Sequence, residues 1–536
     1  AEAHYNLGVA LGLAGQPRDA LAAYRKAVAL KPGEPLFQYN LGITLKDAGM
    51  PREAADAFRR AIGLRPDYPE AYNNLGVALK DAGLHAESAA ALRQAVALRP
   101  GYADAHSNLL MGLHYAAATT PAELAAEHAR WDRQHAAPLA ARARPHANDR
   151  DPDRRLRVGY VSGDLWNHPV ARFLTPLLAN HDPARVEVFA YANVARPDGV
   201  TEMIRRRCHA WRDVHGVDDD AVAAQIRDDR IDVLVDLSLH TAGNRLLVFA
   251  RRPAPVQVTW LGYAGGTGMA AIDWRVTDPH LDPEPGPDDG PAAAAGGPPP
   301  PERPLRLPHC FWCYDPVLEA GGVLPLRALE TGQVTFACLN NFAKVGEPVQ
   351  ELWAAVLNAV PDSRLLIHSP LGPHRQHVLA RFARLGVAED RVEFAGRMPI
   401  HDYFRTYRKV DVALDPFPFG GGTTTCDALW MGVPVVTLRG STPVARAGAS
   451  ILTNAGLADW VADTPADYVR LAARWADDLP SLAMLRASMR DRLRASPLMD
   501  GRRFARDMEA ALRAAWRAWA TGTPEPAAVG ASGGTA

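Results

Sequence analysis

The sequence predicts a superhelical array of α-helical repeats followed by two α/β halves, each built on a parallel sheet. Three observations predict this. The first 136 residues fall into rows of 34 whose columns agree. From Leu156 onward, short apolar runs alternate with amphipathic helical stretches, the order that gives parallel strands with helices on both faces. A Pro/Gly/Ala-rich stretch from Asp282 to Arg303 splits that alternation into two series.

The composition permits such cores: 48% of the 536 residues are hydrophobic and 22% charged. The 59 Lys+Arg and 60 Asp+Glu leave a formal charge of −1, which argues against holding nucleic acid or an anionic membrane by bulk charge. Five cysteines are too few for a disulfide framework and fit reduced thiols in a cytoplasm. No run of about 18 apolar residues suggests a membrane span. The start, AEAHYNLGVA, is unlike a signal peptide. It lacks Met and lies inside a helical pattern, so the true start is expected upstream.

In the repeats, column six reads Asn6, Asn40, Asn74, Asn108 and column seven Leu7, Leu41, Leu75, Leu109. Column eight reads Gly8, Gly42, Gly76, then Leu110; column 15 reads Gly15, Gly49, Gly83. Column 27 holds Ala27, Ala61, Ala95 and column 32 holds Pro32, Pro66, Pro100. The spacing predicts a helix, a glycine turn, a second helix and a proline stop, with small residues letting the paired helices approach. The period of 34 is that of the tetratricopeptide repeat, which stacks into a superhelix with a concave face. The fourth row keeps its first helix, Ala103 to Tyr115, and reads as a transition unit. The Asn column is either an ordinary polar face or a ladder along the groove. An amide both donates and accepts, so such a ladder holds a peptide backbone whatever its side chains.

Residues 137–155 read as a connector. Strands are expected at Leu156 to Ser162, Val186 to Ala190, Ile231 to Leu237 and Val256 to Leu261. After the 282–303 insert, read as a loop, they are expected at Val334 to Cys338, Ser363 to His368, Arg391 to Phe394, Val410 to Asp415 and Pro434 to Leu438. One long helical pattern runs from Met484 to about Ala520, and the tail 521–536 reads as disordered. The domains expected are thus 1–136, 156–308 and 309–520. Ligands of open parallel sheets bind beyond the carboxyl ends of the strands.

Three motifs lie at such ends. In Asp415-Pro-Phe-Pro-Phe-Gly-Gly-Gly-Thr-Thr-Thr-Cys-Asp427, three glycines and Thr423 and Thr424 open a helix whose free N–H groups suit phosphate. Asp427 lies in its first turn, where it is either a favourable helix-start charge or an acceptor for ribose hydroxyls. Asn340-Asn341-Phe342-Ala343-Lys344 follows a strand, and Lys344 is the only lysine between Lys80 and Lys409. It is either a solvated loop lysine or a point charge for a departing diphosphate. Asp164…Asn167-His168-Pro169 ends the first strand, where His168 is either a satisfied loop histidine or a general base. Cys310-Phe-Trp-Cys313 beside His309 lacks a second ligand pair, and Asp218-Asp219-Asp220 reads as a helix start, so no metal site is expected.

The repeats, LRVGYVSGDLWNHP, RPAPVQVTWLGYAGGTG, NNFAK and GGGTTTCDALWMGVPVVTL, in that order, make the chain resemble the O-GlcNAc transferase family from Ala1 to about residue 520. The resemblance implies a GT-B architecture, two Rossmann-like domains with UDP-GlcNAc in the cleft, and an inverting, metal-independent transfer to Ser or Thr of a protein or peptide, with no cofactor. It carries His168 onto the active-site histidine, Asp164 onto an aspartate proposed to help shuttle the acceptor proton, and Lys344 onto the lysine that contacts the diphosphate. Asn341, Leu261, Gly262, Met398, Tyr403, Gly422, Thr423, Thr424 and Asp427 fall on donor-binding positions; the repeat column Asn6, Asn40, Asn74 and Asn108 is the expected acceptor ladder. The chain departs from the animal enzymes at Gly422, where they have His, at Ile400 and Tyr403, where they have Lys and His, and at Val170, where a Thr is usual. Two alternatives remain open: a protein glycosyltransferase using another UDP-sugar, including transfer to Asn, and a repeat scaffold with a weakly active or inactive transferase half. The oligomeric state is left open.

Overall fold

The computed structural model describes residues 1–284, 300–316 and 321–523. Its chain divides into two compact units. One comprises Ala1–Thr119, Arg327–Pro418 and Ala472–Asp477; the other comprises Thr120–Leu326, Phe419–Leu471 and Asp478–Ala536.

The repeats form the helix pairs α1 (Glu2–Leu13) with α2 (Pro17–Leu30), α3 (Pro35–Asp47) with α4 (Pro51–Leu64), and α5 (Pro69–Asp81) with α6 (His85–Leu98), then α7 (Ala103–Tyr115). Pro17, Pro35, Pro51 and Pro69 occupy the first helical position, where a missing N–H costs nothing. Each pair closes on its column-eight glycine: a Cβ there would lie 2.8 Å from Tyr24 at Gly8, 2.6 Å from Phe58 at Gly42 and 2.4 Å from Leu92 at Gly76. Ala27, Ala61 and Ala95 are fully buried, as the small columns require. Gly15, Gly49 and Gly83 turn between the helices at φ of 73°, 76° and 75°.

In the second unit, α8 (Pro121–Trp131) begins with a capping box, Thr120 and Glu123 each accepting the other's backbone N–H. Seven parallel strands follow: β1 (Leu156–Ser162), β2 (Val186–Ala192), β3 (Ala210–Asp213), β4 (Val233–Asp236), β5 (Val256–Thr259), β6 (Trp274–Thr277) and β7 (Arg303–Arg306). Their order is β3-β2-β1-β4-β5-β6-β7. It reverses between β1 and β4, the switch point where doubly wound sheets bind ligand.

The first unit carries the parallel strands β8 (Thr335–Cys338), β9 (Arg364–His368), β10 (Val392–Ala395) and β11 (Val412–Leu414), ordered β10-β9-β8-β11. The order reverses between β8 and β11. In the second unit β12 (Val435–Leu438) pairs parallel with β13 (Val461–Ala462). The architecture is the predicted one: helical repeats followed by two parallel-sheet domains.

Three details differ from the sequence reading. The helical pattern from Met484 is two helices, Leu479–Arg494 and Gly501–Thr521, because Pro497 opens a short turn and Asp500 caps the second helix by accepting from Arg503 N at 2.9 Å. The 282–303 insert is not loop throughout: Arg303 begins β7, and Glu302 is buried, accepting from Thr267 N, Thr267 Oγ1 and Gly268 N at 2.6, 2.5 and 2.8 Å. β7 tolerates Pro304 because it is an edge strand. The rest of that loop reading, at 285–299, lies outside the described residues, as does the tail reading from residue 524. The 137–155 connector is docked: Trp516 Nε1 donates to Asp151 O, and Arg513 Nη1 to Pro152 O and Arg154 O.

Candidate functional site

The β1/β4 switch point carries Asp164 and His168. Ser162, the last residue of β1, accepts from Asp164 N at 2.9 Å and so turns the chain out of the sheet. His168 is the N-cap of the helix Pro169–Asn180, its Nδ1 accepting from Val170 N at 3.4 Å. That contact selects the neutral tautomer with hydrogen on Nε2, a donor rather than a base. Asp164 Oδ1 stands 3.7 Å from Nδ1. Burial lowers the pKa of His168 and raises that of Asp164, while their mutual attraction opposes both shifts. Asp236, ending β4, is buried, accepts from Ser238 N, Leu239 N and Thr259 Oγ1, and is pushed up to about 6 by that burial.

Beyond β5 stand Leu261 and Gly262. Leu261 is at φ 80° and Gly262 N donates back to Trp260 O at 3.1 Å, a γ-turn that β-carbon sterics disfavour. A Cβ on Gly262 would lie 2.6 Å from Ser238 O, so only glycine fits. The strained turn follows a strand end, the place where such strain is usually functional.

In the same unit, Gly422 precedes the helix Thr423–Trp430, and no side chain caps it among the described residues. Thr423 and Thr424 therefore present backbone N–H groups at an N-terminus suited to an anion. Asp427 is buried further along this helix. Arg172 Nη1 donates to its Oδ1 and Oδ2 at 2.6 and 2.8 Å, and Tyr314 Oη donates to Oδ1 at 2.5 Å. Burial, then the Asp427 charge, holds the Tyr314 phenol well above its usual range, so it stays a donor. Arg172 and Tyr314 escaped the sequence reading because Arg172 lies in an otherwise apolar helix and neither is near Asp427 in sequence.

In the first unit, the β8/β11 switch point carries Lys344. Asn341 caps a short turn, Phe342–Lys344, its Oδ1 accepting from Ala343 N at 3.0 Å. Lys344 Nζ donates to Asn340 Oδ1 at 3.3 Å. Burial lowers the pKa of Lys344 to about 8, opposed by Asp415 at the end of β11 and by Cys338. Met398 and Tyr403 follow β10: Thr406 Oγ1 donates to Met398 Sδ at 3.3 Å, and the Tyr403 and Tyr407 hydroxyls are 2.9 Å apart.

The Asn column joins neighbouring repeats. Asn40 Nδ2 donates to Tyr5 Oη at 2.6 Å, Asn74 Nδ2 to Tyr39 Oη at 2.9 Å and Asn108 Nδ2 to Asn73 Oδ1 at 2.9 Å. Asn6 is exposed. Each bond engages one side-chain amide N–H and leaves that side chain's Oδ1 without a partner among the described residues.

Cys310 and Cys313 are buried free thiols, Cys313 pushed up to about 12. Asp218 accepts from Ala221 N as a helix N-cap, while Asp219 and Asp220 pair with Arg245 and Arg251. No group of three or more potential metal ligands occurs among the described residues.

Glycosyl transferase family 41 matches residues 102–285 and 326–508, and tetratricopeptide repeat families match 1–34 and 39–103. The chain belongs to glycosyl transferase family 41. A lysine-to-methionine mutant of the Thermobaculum terrenum O-GlcNAc transferase superposes with a TM-score of 0.87 at 36% identity, covering 97% of this chain and 98% of that one. The family's GT-B fold is therefore this chain's fold. Among relatives, the probable UDP-N-acetylglucosamine–peptide N-acetylglucosaminyltransferase SPINDLY of Petunia hybrida is 41% identical over 383 residues, 70% of this chain and 40% of its own length. The correspondingly named SEC of Arabidopsis thaliana is 30% identical over 381 residues, 69% of this chain and 38% of its own length. The chain thus spans about two fifths of these plant relatives.

Proposed function

We propose that this family 41 member transfers GlcNAc from UDP-GlcNAc to Ser or Thr hydroxyls of a protein, with inversion at the anomeric carbon. The observation that carries the reading is Lys344: a half-buried cation at a sheet's switch point, with Asp415 of the neighbouring strand end beside it. A cation in such a place favours charge that develops on a leaving diphosphate. The acceptor oxygen forms a bond to the anomeric carbon as the bond to the β-phosphate oxygen breaks. The acceptor proton leaves through Asp164, a water or the diphosphate, and UDP departs with the electron pair. His168, with hydrogen on Nε2, positions by donating. Thr423 and Thr424 hold phosphate, Asp427 the ribose, Asn341, Met398 and Tyr403 the base, and Leu261 and Gly262 the sugar. Gly422 lets the backbone approach the phosphates. With Lys344 and a helix N-terminus serving the diphosphate, the transfer needs no metal and no cofactor.

The amide carbonyls of Asn6, Asn40, Asn74 and Asn108 hold the acceptor's backbone N–H groups in the repeat groove. Five unpaired thiols favour a reducing compartment such as the cytoplasm, and none of the described helices is long and apolar enough to cross a membrane.

The test is transfer by the purified protein to a Ser/Thr peptide library, from UDP-GlcNAc and a panel of other UDP- and GDP-sugars, with and without EDTA. GlcNAc on a hydroxyl, undiminished by EDTA and lost in Lys344→Ala, is expected. Transfer from another donor alone, or full activity of Lys344→Ala, overturns the assignment.

A further inference from the structure

The third repeat departs from the first two at column 17. Column 17, the first residue of the second helix, is Pro17 and Pro51 in repeats one and two but His85 in repeat three. His85 Nε2 lies 2.7 Å from Ala343 O, the carbonyl of the residue before Lys344. Because a carbonyl only accepts, the imidazole is the donor. Two glycines make room for this contact. At Gly346 a Cβ would lie 2.9 Å from the His85 ring, and at Gly83, in the repeat's turn with φ 75°, it would lie 2.9 Å from Val345 O. The corner of repeat three, Gly83 to His85, therefore packs directly on the chain from Ala343 to Gly346. The next corner back touches the loop after β9: Gly49 lies against Pro370, and Glu53 approaches Gly372.

From these contacts we infer that His85 is a positioning residue, through which the third repeat fixes the turn that presents Lys344. The turn is buried at Phe342 and Ala343 and braced by Gln350 Nε2 donating to Val345 O at 3.3 Å. It is three residues long, closed by Lys344 N donating to Asn341 O and Val345 N to Phe342 O, at 2.9 and 2.8 Å. Asn341, which caps it, is exposed. A short 3₁₀ turn has poor internal geometry, so the bond from His85 to its central carbonyl adds a constraint that the turn's own backbone does not supply. A proline at column 17 serves the repeat as well as histidine does, since it suits a first helical position. It has no donor to offer Ala343. The array is thereby part of the machinery that sets Lys344, and not only a surface for acceptor.

The inference rests on the proposed role of Lys344, so its test has one readout that needs no activity. His85→Pro restores the residue of the other repeats and leaves the helix start intact; His85→Gln keeps a donor of similar reach. Hydrogen exchange of the full-length protein is expected to accelerate at the Lys344 and Val345 amides in His85→Pro and to stay near wild type in His85→Gln. Loss of one such bond is expected to lower kcat about five- to tenfold in His85→Pro. KM for donor should be unchanged, activity should recover in His85→Gln, and His85→Pro should have no further effect in a Lys344→Ala background. Unchanged exchange in His85→Pro, or the same fold loss in the Lys344→Ala background, overturns the inference. A wild-type protein inactive with UDP-GlcNAc fails the functional reading instead, and exchange alone then decides the role of His85.

Discussion

Arg172 and Asp427 form a buried ion pair in which one guanidinium nitrogen reaches both carboxylate oxygens, at 2.6 and 2.8 Å. Arg172 comes from the helix begun by His168, and Asp427 from the helix begun by Thr423. The pair therefore ties the histidine-bearing turn to the uncapped helix within one unit. Arg172 also lowers the pKa of His168, a smaller effect than burial.

Removing either partner of Asp427 is expected to cost stability in proportion to the charge stranded. Arg172→Met leaves a buried carboxylate without its cation, a loss of about 3–5 kcal/mol. Tyr314→Phe removes one hydrogen bond to a charged group, about 1.5–3 kcal/mol. Urea unfolding of the two variants measures both; equal losses would show that Arg172 is not the principal counter-charge.

The pKa of Lys344 makes activity and stability move in opposite directions above neutral pH. Burial brings its folded pKa to about 8, below the ordinary value of 10.5. A leaving-group role needs the ammonium, so kcat is expected to fall as pH rises through about 8. The unfolded chain binds more protons at this lysine between about 8 and 10.5, so its contribution to stability rises across that window. A Tm that falls together with kcat between pH 8 and 9 would assign the loss to unfolding. Lys344→Arg, charged throughout, should lose the alkaline fall and retain part of the rate.

The sequence made legible what is periodic and what lies at strand ends. The 34-residue columns located α1 to α7, and apolar runs located β1, β2, β4, β5 and β8 to β12. β3, β6, β7 and β13 were missed: AWRD in β3 is half-exposed and charged, and in β7 Pro304 and the adjoining prolines mask an edge strand. The loops after β1, β5 and β8 carry candidate residues at their predicted places. Arg172, Tyr314 and His85 were not legible, because each acts on a residue more than 100 positions away and only folding brings it there. His85 alone left a trace, as a break in the repeat.

The asparagine column serves two roles that mutation separates. Tyr39→Phe breaks the bond from Asn74 while leaving its amide in place, so stability should fall by about 0.5–1.5 kcal/mol with acceptor KM unchanged. Asn74→Ala should lower stability by a similar amount and also raise acceptor KM severalfold. Asn6→Ala, which breaks no bond among the described residues, should leave stability unchanged. A KM effect of Tyr39→Phe equal to that of Asn74→Ala would show that the column acts only through repeat packing.

Glycines of the repeats divide by what a methyl group would meet. At Gly42 and Gly76 an added Cβ would lie 2.6 Å from Phe58 and 2.4 Å from Leu92, contacts that force the paired helices apart. Overpacking of this kind costs about 1–3 kcal/mol, more than alanine's helical advantage of about 1 kcal/mol returns. Gly63, inside α4, has nothing within 4 Å of the same position, so only the helical advantage remains. Gly42→Ala and Gly76→Ala are therefore expected to lower Tm, and Gly63→Ala to raise it. Because His85 heads the helix that carries Leu92, Gly76→Ala should also speed exchange at Lys344, while Gly42→Ala, one repeat removed, should do so less. Equal exchange at Lys344 in the two variants would mean that the spacing of the third helix pair does not reach the lysine through His85.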